Sequence, residues 1–208
     1  MSRLRVLGRP ASINVRKVLW TGVELGLDLT REDVDVKAEA FRMLNPNAMM
    51  PVLIDEGGQP FSMWESNSIC RYLAQREARV DLLPVEPRRR ALVEMWMDWQ
   101  GGELNNSWRY AFMATVRQSA QHQDAALIEA GVANWNRHMT MLDGQLARSG
   151  GPFVLGDTCT LADVVLGLSA HRWRAAPIAH ADLPAVEAWY QRLLTRPGFM
   201  AHGPAAGP

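Results

Sequence analysis

The hydrophobic pattern of this chain changes type at Leu82-Leu83-Pro84-Val85-Glu86-Pro87, a segment whose two prolines fit a linker. Before this segment, short alternating runs typical of strands lie between short helical stripes. After it, strand signals vanish and long helical periodicities follow, with six of the eight tryptophans. The sequence therefore predicts an α/β domain over residues 1–79 and an all-helical domain over residues 88–208.

Seven elements are predicted in the α/β domain. They are a strand over 3–7, a helix from Val15 that Gly26 ends, a strand over 30–36, a helix over 38–44, two strands over 52–54 and 61–63, and a helix over 65–75. The helix between the first two strands favours parallel pairing, whereas the short turn between the last two favours an antiparallel hairpin. The predicted order is βαβαββα.

The helical domain is predicted to begin with a run over 88–117. This run is either one long helix or a helix broken at Gly101-Gly102. Further helices are predicted over 124–147, 160–175 and 184–194. The tail from Pro197 is rich in Gly, Pro and Ala, and we expect it to be loosely ordered.

Charge and hydropathy exclude several classes of protein. The chain has 22 basic and 22 acidic residues, and its longest basic run is Arg88-Arg89-Arg90. This balance does not support nucleic-acid binding. No apolar stretch is long enough to span a bilayer, and the first residues lead into a strand rather than a signal peptide. We therefore expect a cytoplasmic protein without nucleic-acid or membrane partners.

Cysteine and histidine usage predicts neither a disulfide framework nor a metal site. Cys70 and Cys159 lie far apart in the chain, and we expect both to be small buried thiols. The five histidines show no metal-ligand spacing. No phosphate loop or dinucleotide fingerprint is present, so the chemistry has to come from other residues.

Ser12 stands where the chain turns from Pro10 into the first helix. One interpretation is a helix N-cap, in which the serine oxygen accepts a backbone amide bond. The other is an anion site, because a helix N-terminus concentrates donors and positive potential that stabilise a bound thiolate. Asn14 either adds an amide donor there or merely occupies the first turn.

Two later segments carry polar or constrained groups. Pro51 directly precedes a strand. If the Met50-Pro51 bond is cis, the Met50 backbone can pair with an extended peptide. The sequence alone makes a cis bond improbable. Glu65 and Ser66 open a helix, where capping is the simpler role. Alternatively, Glu65 takes an ammonium group while Ser66 and the helix amides take a carboxylate, as the end of an amino acid requires.

Together these segments resemble the glutathione transferase superfamily over essentially the whole chain. Gly8 to Ser12 followed by Val15 to Leu19 resembles the opening of the serine-type classes, phi and theta. Asn45-Pro46 through Pro51 resembles the segment before the family's cis-proline, and Glu65-Ser66 with Ile69 and Tyr72-Leu73 resembles its next helix. Thr160 to Asp163 resembles the capping box of its helical domain.

The resemblance implies a thioredoxin-like domain followed by a helical bundle, usually as a homodimer. Ser12 matches the serine that activates the thiol of glutathione, and Met50, before Pro51, matches the residue whose backbone pairs with the cysteinyl part. Glu65 and Ser66 match the binders of the γ-glutamyl end, and Lys37 falls near a lysine that reaches the glycine carboxylate. The chain departs from the family pattern at Ala48, where glycine is common, and at Met49, where many members have a polar residue such as Gln or Lys.

The second substrate pocket is expected between the domains. The segment from Asn105 to Arg117 resembles a bacterial subgroup in which a tryptophan-rich helix faces the active site. Trp108, Phe112 and Met113 are candidates for its apolar wall, or else belong to the bundle core. Arg109 and Arg117, a little over two helical turns apart, are candidates to bind an anionic substrate. The alternatives are a solvated face or an interdomain ion pair.

The resemblance thus implies a detoxifying enzyme that conjugates the glutathione thiolate to a small electrophile, with glutathione as co-substrate and no metal. One alternative is a glutathione-dependent peroxidase or disulfide reductase on the same fold. The other is a non-catalytic binding protein. A reductase that forms a mixed disulfide needs a cysteine at the corner, where this chain has Ser12.

Overall fold

A computed structural model describes residues 3–207 and contains the seven predicted elements of the α/β domain in the predicted order. They are β1 (Leu4–Leu7), α1 (Ile13–Leu25), β2 (Leu29–Glu32), α2 (Glu39–Leu44), β3 (Val52–Asp55), β4 (Phe61–Trp64) and α3 (Ser66–Arg76). Gly26 ends α1 in the left-handed conformation, with φ of 68°, as a C-terminal glycine does.

The four strands form one mixed sheet in the order β2-β1-β3-β4. β1 pairs with β2 in parallel and β3 with β4 in antiparallel fashion, as predicted. β3 also pairs with β1 in antiparallel fashion, which joins the two predicted pairs into one sheet. The second strand ends at Glu32 rather than at residue 36. It is an edge strand whose only partner, β1, stops at Leu7, so the last backbone bond on this side joins Gly8 N–H to the Glu32 carbonyl at 2.8 Å.

The remaining chain is helical in the part that the structure describes. It forms α4 (Pro87–Trp99), α5 (Asn105–Thr115), α6 (Ala125–Arg148), α7 (Leu161–Ala175), α8 (Pro184–Leu193), α9 (Pro197–His202) and a 3₁₀ turn (Pro204–Ala206). Between α4 and α5 the chain neither continues as an α-helix nor breaks at Gly101-Gly102. It widens into a π-helical segment, Gln100–Leu104.

Helix α7 lies at the centre of the molecule and is buried from Leu161 to Trp173. Helices α1, α4, α8 and α9 pack around it. Its first turn has the predicted capping box: Asp163 accepts hydrogen bonds from the Thr160 N–H at 2.9 Å, the Val154 N–H at 2.9 Å and the Trp189 indole at 3.0 Å. One cluster of buried apolar side chains runs from Leu4 and Val6 of the sheet to Leu168 of α7, so the core is continuous between the sheet and the helices.

The expectation of a loosely ordered tail is wrong up to Gly207. Pro197 begins a helix, as proline often does at the first helical position, and Phe199 is fully buried. The Phe199 ring lies 5.0 Å from the Trp20 ring of α1. Glycine and proline content suggested disorder, but Phe199 supplies an apolar anchor that outweighs it.

Substitution of Gly198 tests this docking. A Cβ at Gly198 would lie 2.2 Å from Trp20 Cδ1, whereas a Cβ at Gly102 would meet nothing within 4 Å. We expect Gly198→Ala to lower the free energy of unfolding by about 1–3 kcal/mol because it overpacks a filled contact. Gly102→Ala, the control, is expected to leave it unchanged or raise it slightly. Urea unfolding measures both, and equal effects would contradict the docking of α9 on Trp20.

Candidate functional site

Two cavities meet at the N-terminus of α1. The first, of about 520 Å³, lies between Arg9, Ala11 and Ser12 on one side and Ala48 to Met50 on the other. The second, of about 450 Å³, lies between Ser12 and helices α5 and α7. Ala11, Ser12 and Arg117 line both cavities. Both volumes are in the range of small-molecule sites.

Ser12 stands in the N-cap position of α1, but its side chain accepts no capping hydrogen bond. Its backbone is extended, with φ of −82° and ψ of 119°, and its carbonyl accepts the Arg16 N–H at 3.0 Å. The helix therefore forms without the hydroxyl, which is left at the junction of the two cavities. Asn14, in the first turn, lines neither cavity; its Oδ1 is buried without a hydrogen-bond partner among residues 3–207.

The segment before β3 is held against α1 by close packing. The Met50-Pro51 peptide bond is cis, although sequence alone made trans the better expectation. Gly8 permits the approach, because a Cβ there would lie 2.5 Å from Val15 Cγ2 and 3.0 Å from Met50 Cβ. Asn45, which is 2% exposed, donates from Nδ2 to the Met49 carbonyl at 2.6 Å. Met50 thereby faces Ser12 across the first cavity.

Glu65 and Ser66 lie at the same end of the sheet as Met50 and Pro51. Val52, which follows Pro51, is the partner of Trp64, which precedes Glu65, so both segments leave the β3–β4 ladder at the same end. Ser66 is buried in the first turn of α3. Glu65 is exposed and has φ of 73° and ψ of 105°, a conformation that costs about 1–3 kcal/mol in a non-glycine residue. Such an outlier commonly marks a functional position.

Lys37 is less well placed. It is exposed and, like Glu65 and Ser66, lines neither cavity; unlike them it follows no strand end of the β3–β4 ladder, although its neighbour Val36 lines the first cavity. Its backbone N–H donates to Asp35 Oδ1 at 2.9 Å. Among the predicted site residues, the structure thus gathers Ser12, Met50, Pro51, Glu65 and Ser66 around one end of the sheet and leaves Lys37 at its margin.

All five residues predicted for the second pocket line the second cavity: Trp108, Arg109, Phe112, Met113 and Arg117. Trp108 and Phe112 are buried and in edge-to-face contact, with ring centroids 5.3 Å apart. They are thus both bundle core and cavity wall, so the two interpretations of these aromatics do not exclude each other. Arg109 and Arg117 are exposed at the rim.

Arg172 also lines this cavity and was missed from the sequence. It comes from α7, 55 positions along the chain from Arg117, and no local motif connects the two helices. Its one sequence signal is a charge within a helix that is rich in apolar residues.

Lys17 is a second polar residue that sequence analysis missed. It is 1% exposed and donates to Gln100 Oε1 at 2.6 Å and to Asn67 Oδ1 at 3.2 Å. Burial lowers the pKa of Lys17 to about 8. Gln100 in turn donates to Ser169 Oγ at 2.9 Å, so one buried network joins α1, α3, the π-helical segment and α7 directly behind Ser66.

Residues 3–207 contain neither a metal-binding cluster nor a membrane-spanning helix. No group of three or more His, Cys, Asp or Glu side chains there could hold a metal ion. None of the helices in that range is both long enough and apolar enough to cross a membrane. Cys70 and Cys159 are free and buried, as expected.

Comparison with known proteins gives the family. The family model for the N-terminal domain of glutathione S-transferases matches residues 6–81, and that for the C-terminal domain matches residues 125–192. Glutathione S-transferase GstB of Escherichia coli (strain K12) is 33% identical over 195 residues, covering 91% of this chain and 92% of its own. Glutathione S-transferase 3 of Zea mays is 31% identical over 211 residues, covering 96% and 92%.

Comparison with solved structures gives the same family. The theta class glutathione S-transferase of Xanthomonas axonopodis pv. citri, with glutathione bound, superimposes with a TM-score of 0.89 at 34% identity, covering 98% of both chains. The chain therefore belongs to the glutathione transferase superfamily. The predicted fold class, a thioredoxin-like domain followed by a C-terminal helical bundle, is confirmed.

The packing of the 45–51 segment is testable without a ligand. Asn45→Ala removes the donor to the Met49 carbonyl and the Oδ1 acceptor of the Asn47 N–H, which lies at 3.0 Å. We expect the free energy of unfolding to fall by about 1–2 kcal/mol because two partly buried backbone groups lose their partners. Asn47→Ala, at an exposed position, is expected to change it by less than about 0.5 kcal/mol. Unfolding in urea measures both; equal losses would contradict this role of Asn45.

Proposed function

We propose that this enzyme conjugates the thiolate of glutathione to a small electrophile. The observation that carries the proposal is the Ser12 hydroxyl, which is released from capping and stands where the two cavities meet. A thiol in the first cavity and an electrophile in the second would both be in reach of it. Holding two reactants in this way removes much of the entropic barrier to their reaction.

Ser12 is assigned to the thiolate. Its O–H donates a hydrogen bond to the sulfur anion, and the N-terminus of α1 adds positive potential, so both lower the pKa of the thiol. The thiolate then attacks the electrophilic carbon and expels the leaving group with its electron pair. Asn14, in the same helical turn, keeps its predicted role as an amide donor to glutathione, although it lines neither cavity.

The first cavity is assigned to glutathione. The Met50 backbone, presented by cis-Pro51, pairs with the cysteinyl part, while Glu65 takes the γ-glutamyl ammonium and Ser66 its carboxylate. Their common position at one end of the β3–β4 ladder supports this assignment. Lys37 is kept as an outer contact to the glycine carboxylate, and Arg9, which lines the cavity, is a closer cation for the same group.

The alternative chemistries find less support. A disulfide reductase that forms a mixed disulfide on the protein needs an accessible cysteine, whereas Cys70 is fully buried and burial raises its pKa to about 11. Cys159 is also buried. A peroxidase that uses bound glutathione alone would also place its peroxide beside Ser12, but a neutral hydroperoxide gives the arginines of the second cavity no role. A non-catalytic binding protein would have no need of an uncapped Ser12.

We also propose the domain boundaries 1–79 and 88–208, a cytoplasmic location, a role in detoxification and a homodimer. The exposed apolar residues Phe61 and Trp64 on the outer strand, and Leu92 and Met95 on α4, support a homodimer, since they remain 37–52% exposed in the single chain. Light scattering on the purified chain tests that assembly.

The test of the proposed function is Ser12→Ala, with Ser62→Ala on the exposed face of β4 as the matched control. We expect kcat/KM for 1-chloro-2,4-dinitrobenzene to fall about 10²-fold in Ser12→Ala, because one preorganised donor to the sulfur anion is lost. The loss of kcat/KM in Ser12→Ala should be greater at pH 6.5 than at pH 9. At pH 9 a large part of the glutathione thiol is ionised without stabilisation by the enzyme.

Calorimetry and the ultraviolet absorbance of the thiolate complete this test. We expect Ser12→Ala to bind glutathione within a few-fold of the wild type but without thiolate at neutral pH. Thiolate that survives in Ser12→Ala would overturn the role of Ser12. A wild type that does not bind glutathione would leave the non-catalytic alternative.

A further inference from the structure

Arg172 occupies an unusual position for a cation. It extends from the central helix α7, is only 5% exposed, and lines the second cavity. Its Cζ lies 4.4 Å from the centre of the Phe112 ring and 4.9 Å from that of Trp108. Aromatic faces attract a cation, but they accept none of its N–H groups as ordinary hydrogen bonds.

Within the described residues, the guanidinium of Arg172 lies without a counter-ion. It forms no ion pair or hydrogen bond with any residue in the range 3–207, and its Nε is buried without an acceptor. The lining of the second cavity contributes Arg109 and Arg117 as further cations and contains no Asp or Glu. A buried charge without a partner is strongly unfavourable, so the site is built at a cost to stability.

A fourth arginine, Arg16, increases the positive potential near Arg172. Arg16 lies on α1, four residues after Ser12, and is 2% exposed. Its Nε, like that of Arg172, is buried without an acceptor among the described residues. Burial, with Arg16 and Arg117 nearby, lowers the pKa of Arg172 to about 9, so it stays charged at neutral pH. An anion that entered the cavity would relieve this repulsion.

We propose that the electrophile carries a carboxylate and that Arg172 binds it at the back of the second cavity. Arg172 lines the second cavity and not the first, so this anion is a part of the electrophile rather than of glutathione. A carboxylate suits the site because a guanidinium binds its two oxygens with two parallel N–H groups. This inference rests on the proposed conjugation reaction.

The reaction balances without further reagents. The glutathione sulfur forms a bond to the electrophilic carbon, the bond from that carbon to a halide breaks, and the halide leaves with the electron pair. The thiol proton passes to solvent. Because Ser12 and Arg172 line the same cavity, the carboxylate and the electrophilic carbon belong to one small molecule that spans the distance between them.

Two substrates of matched shape test the charge. 4-Chloro-3-nitrobenzoate and 4-chloro-3-nitrobenzamide both lose chloride to a thiolate, but only the first is an anion. With each rate divided by its uncatalysed rate, we expect the wild type to favour the benzoate at least tenfold in kcat/KM. Arg172→Gln is expected to lose 10- to 100-fold with the benzoate and less than about threefold with the benzamide, and Arg172→Lys to recover part of the loss.

Arg174→Gln is the matched control. Arg174 lies two residues later on α7, but it is exposed and paired with Glu187. We expect it to leave the benzoate-to-benzamide ratio unchanged. If Arg172→Gln keeps the wild-type ratio of kcat/KM for the benzoate to kcat/KM for the benzamide, the inference is overturned. A rise in KM for glutathione that is equal with both substrates also overturns it, because Arg172 would then act on glutathione.

Failure of the proposed function is distinguishable, because it removes turnover of the benzamide as well. Should Arg172→Gln fail to fold, inhibition of the wild type decides instead. 3-Nitrobenzoate, which has no leaving group, should compete with the electrophile at least tenfold better than 3-nitrobenzamide, and added salt should weaken it. Equal inhibition by the two compounds overturns the inference.

Discussion

The packing of helix α1 on both of its sides is the constraint on which the rest of this structure depends. One side covers the sheet through Val15 and Val18, and the other carries Trp20 into the bundle, where it meets Gly167, Gly198 and Phe199. A helix shared in this way cannot shift without disturbing either core, because protein interiors are close-packed. Its N-terminus, with Ser12, is therefore held where sheet and bundle meet.

A polar group buried on α1, the Lys17 ammonium, adds specific hydrogen bonds to that packing. The Lys17 ammonium joins Asn67 of α3 and Gln100 of the π-helical segment, so the first turn of α3, which contains Ser66, is tied to α1 and α7. Hydrogen bonds of this kind are costly to break when buried, because each group left alone keeps its desolvation penalty. The π-helical segment places Gln100 within reach of both Lys17 and Ser169, which gives a physical reason for the irregularity.

Much of the fold could be predicted from local chemistry. The strand and helix periodicities, Gly26 as a helix end and the Thr160 to Asp163 capping box each act over a few residues, and all are found in the structure. Ser12 could be placed at a helix start, but not assigned as capped or uncapped, since that depends on what surrounds its hydroxyl. The cis bond before Pro51 and the order of the tail could not be predicted, because close approach of Gly8 to Met50 and of Phe199 to Trp20 involves residues distant in sequence.

By itself, the sequence determined the order of the elements, the family and the residue types at the end of the sheet, because these follow from periodicity, turn chemistry and short motifs. Tertiary structure alone decided which charges share a cavity. Arg172 of α7 and Arg117, which follows the end of α5, line one cavity, and Arg16 of α1 lies close enough to act on Arg172. No common motif connects these residues, and they come together only because the elements that carry them meet near Ser12. Electrostatic potential depends on distance in space rather than along the chain, so the chemistry of the second cavity emerges only with the fold.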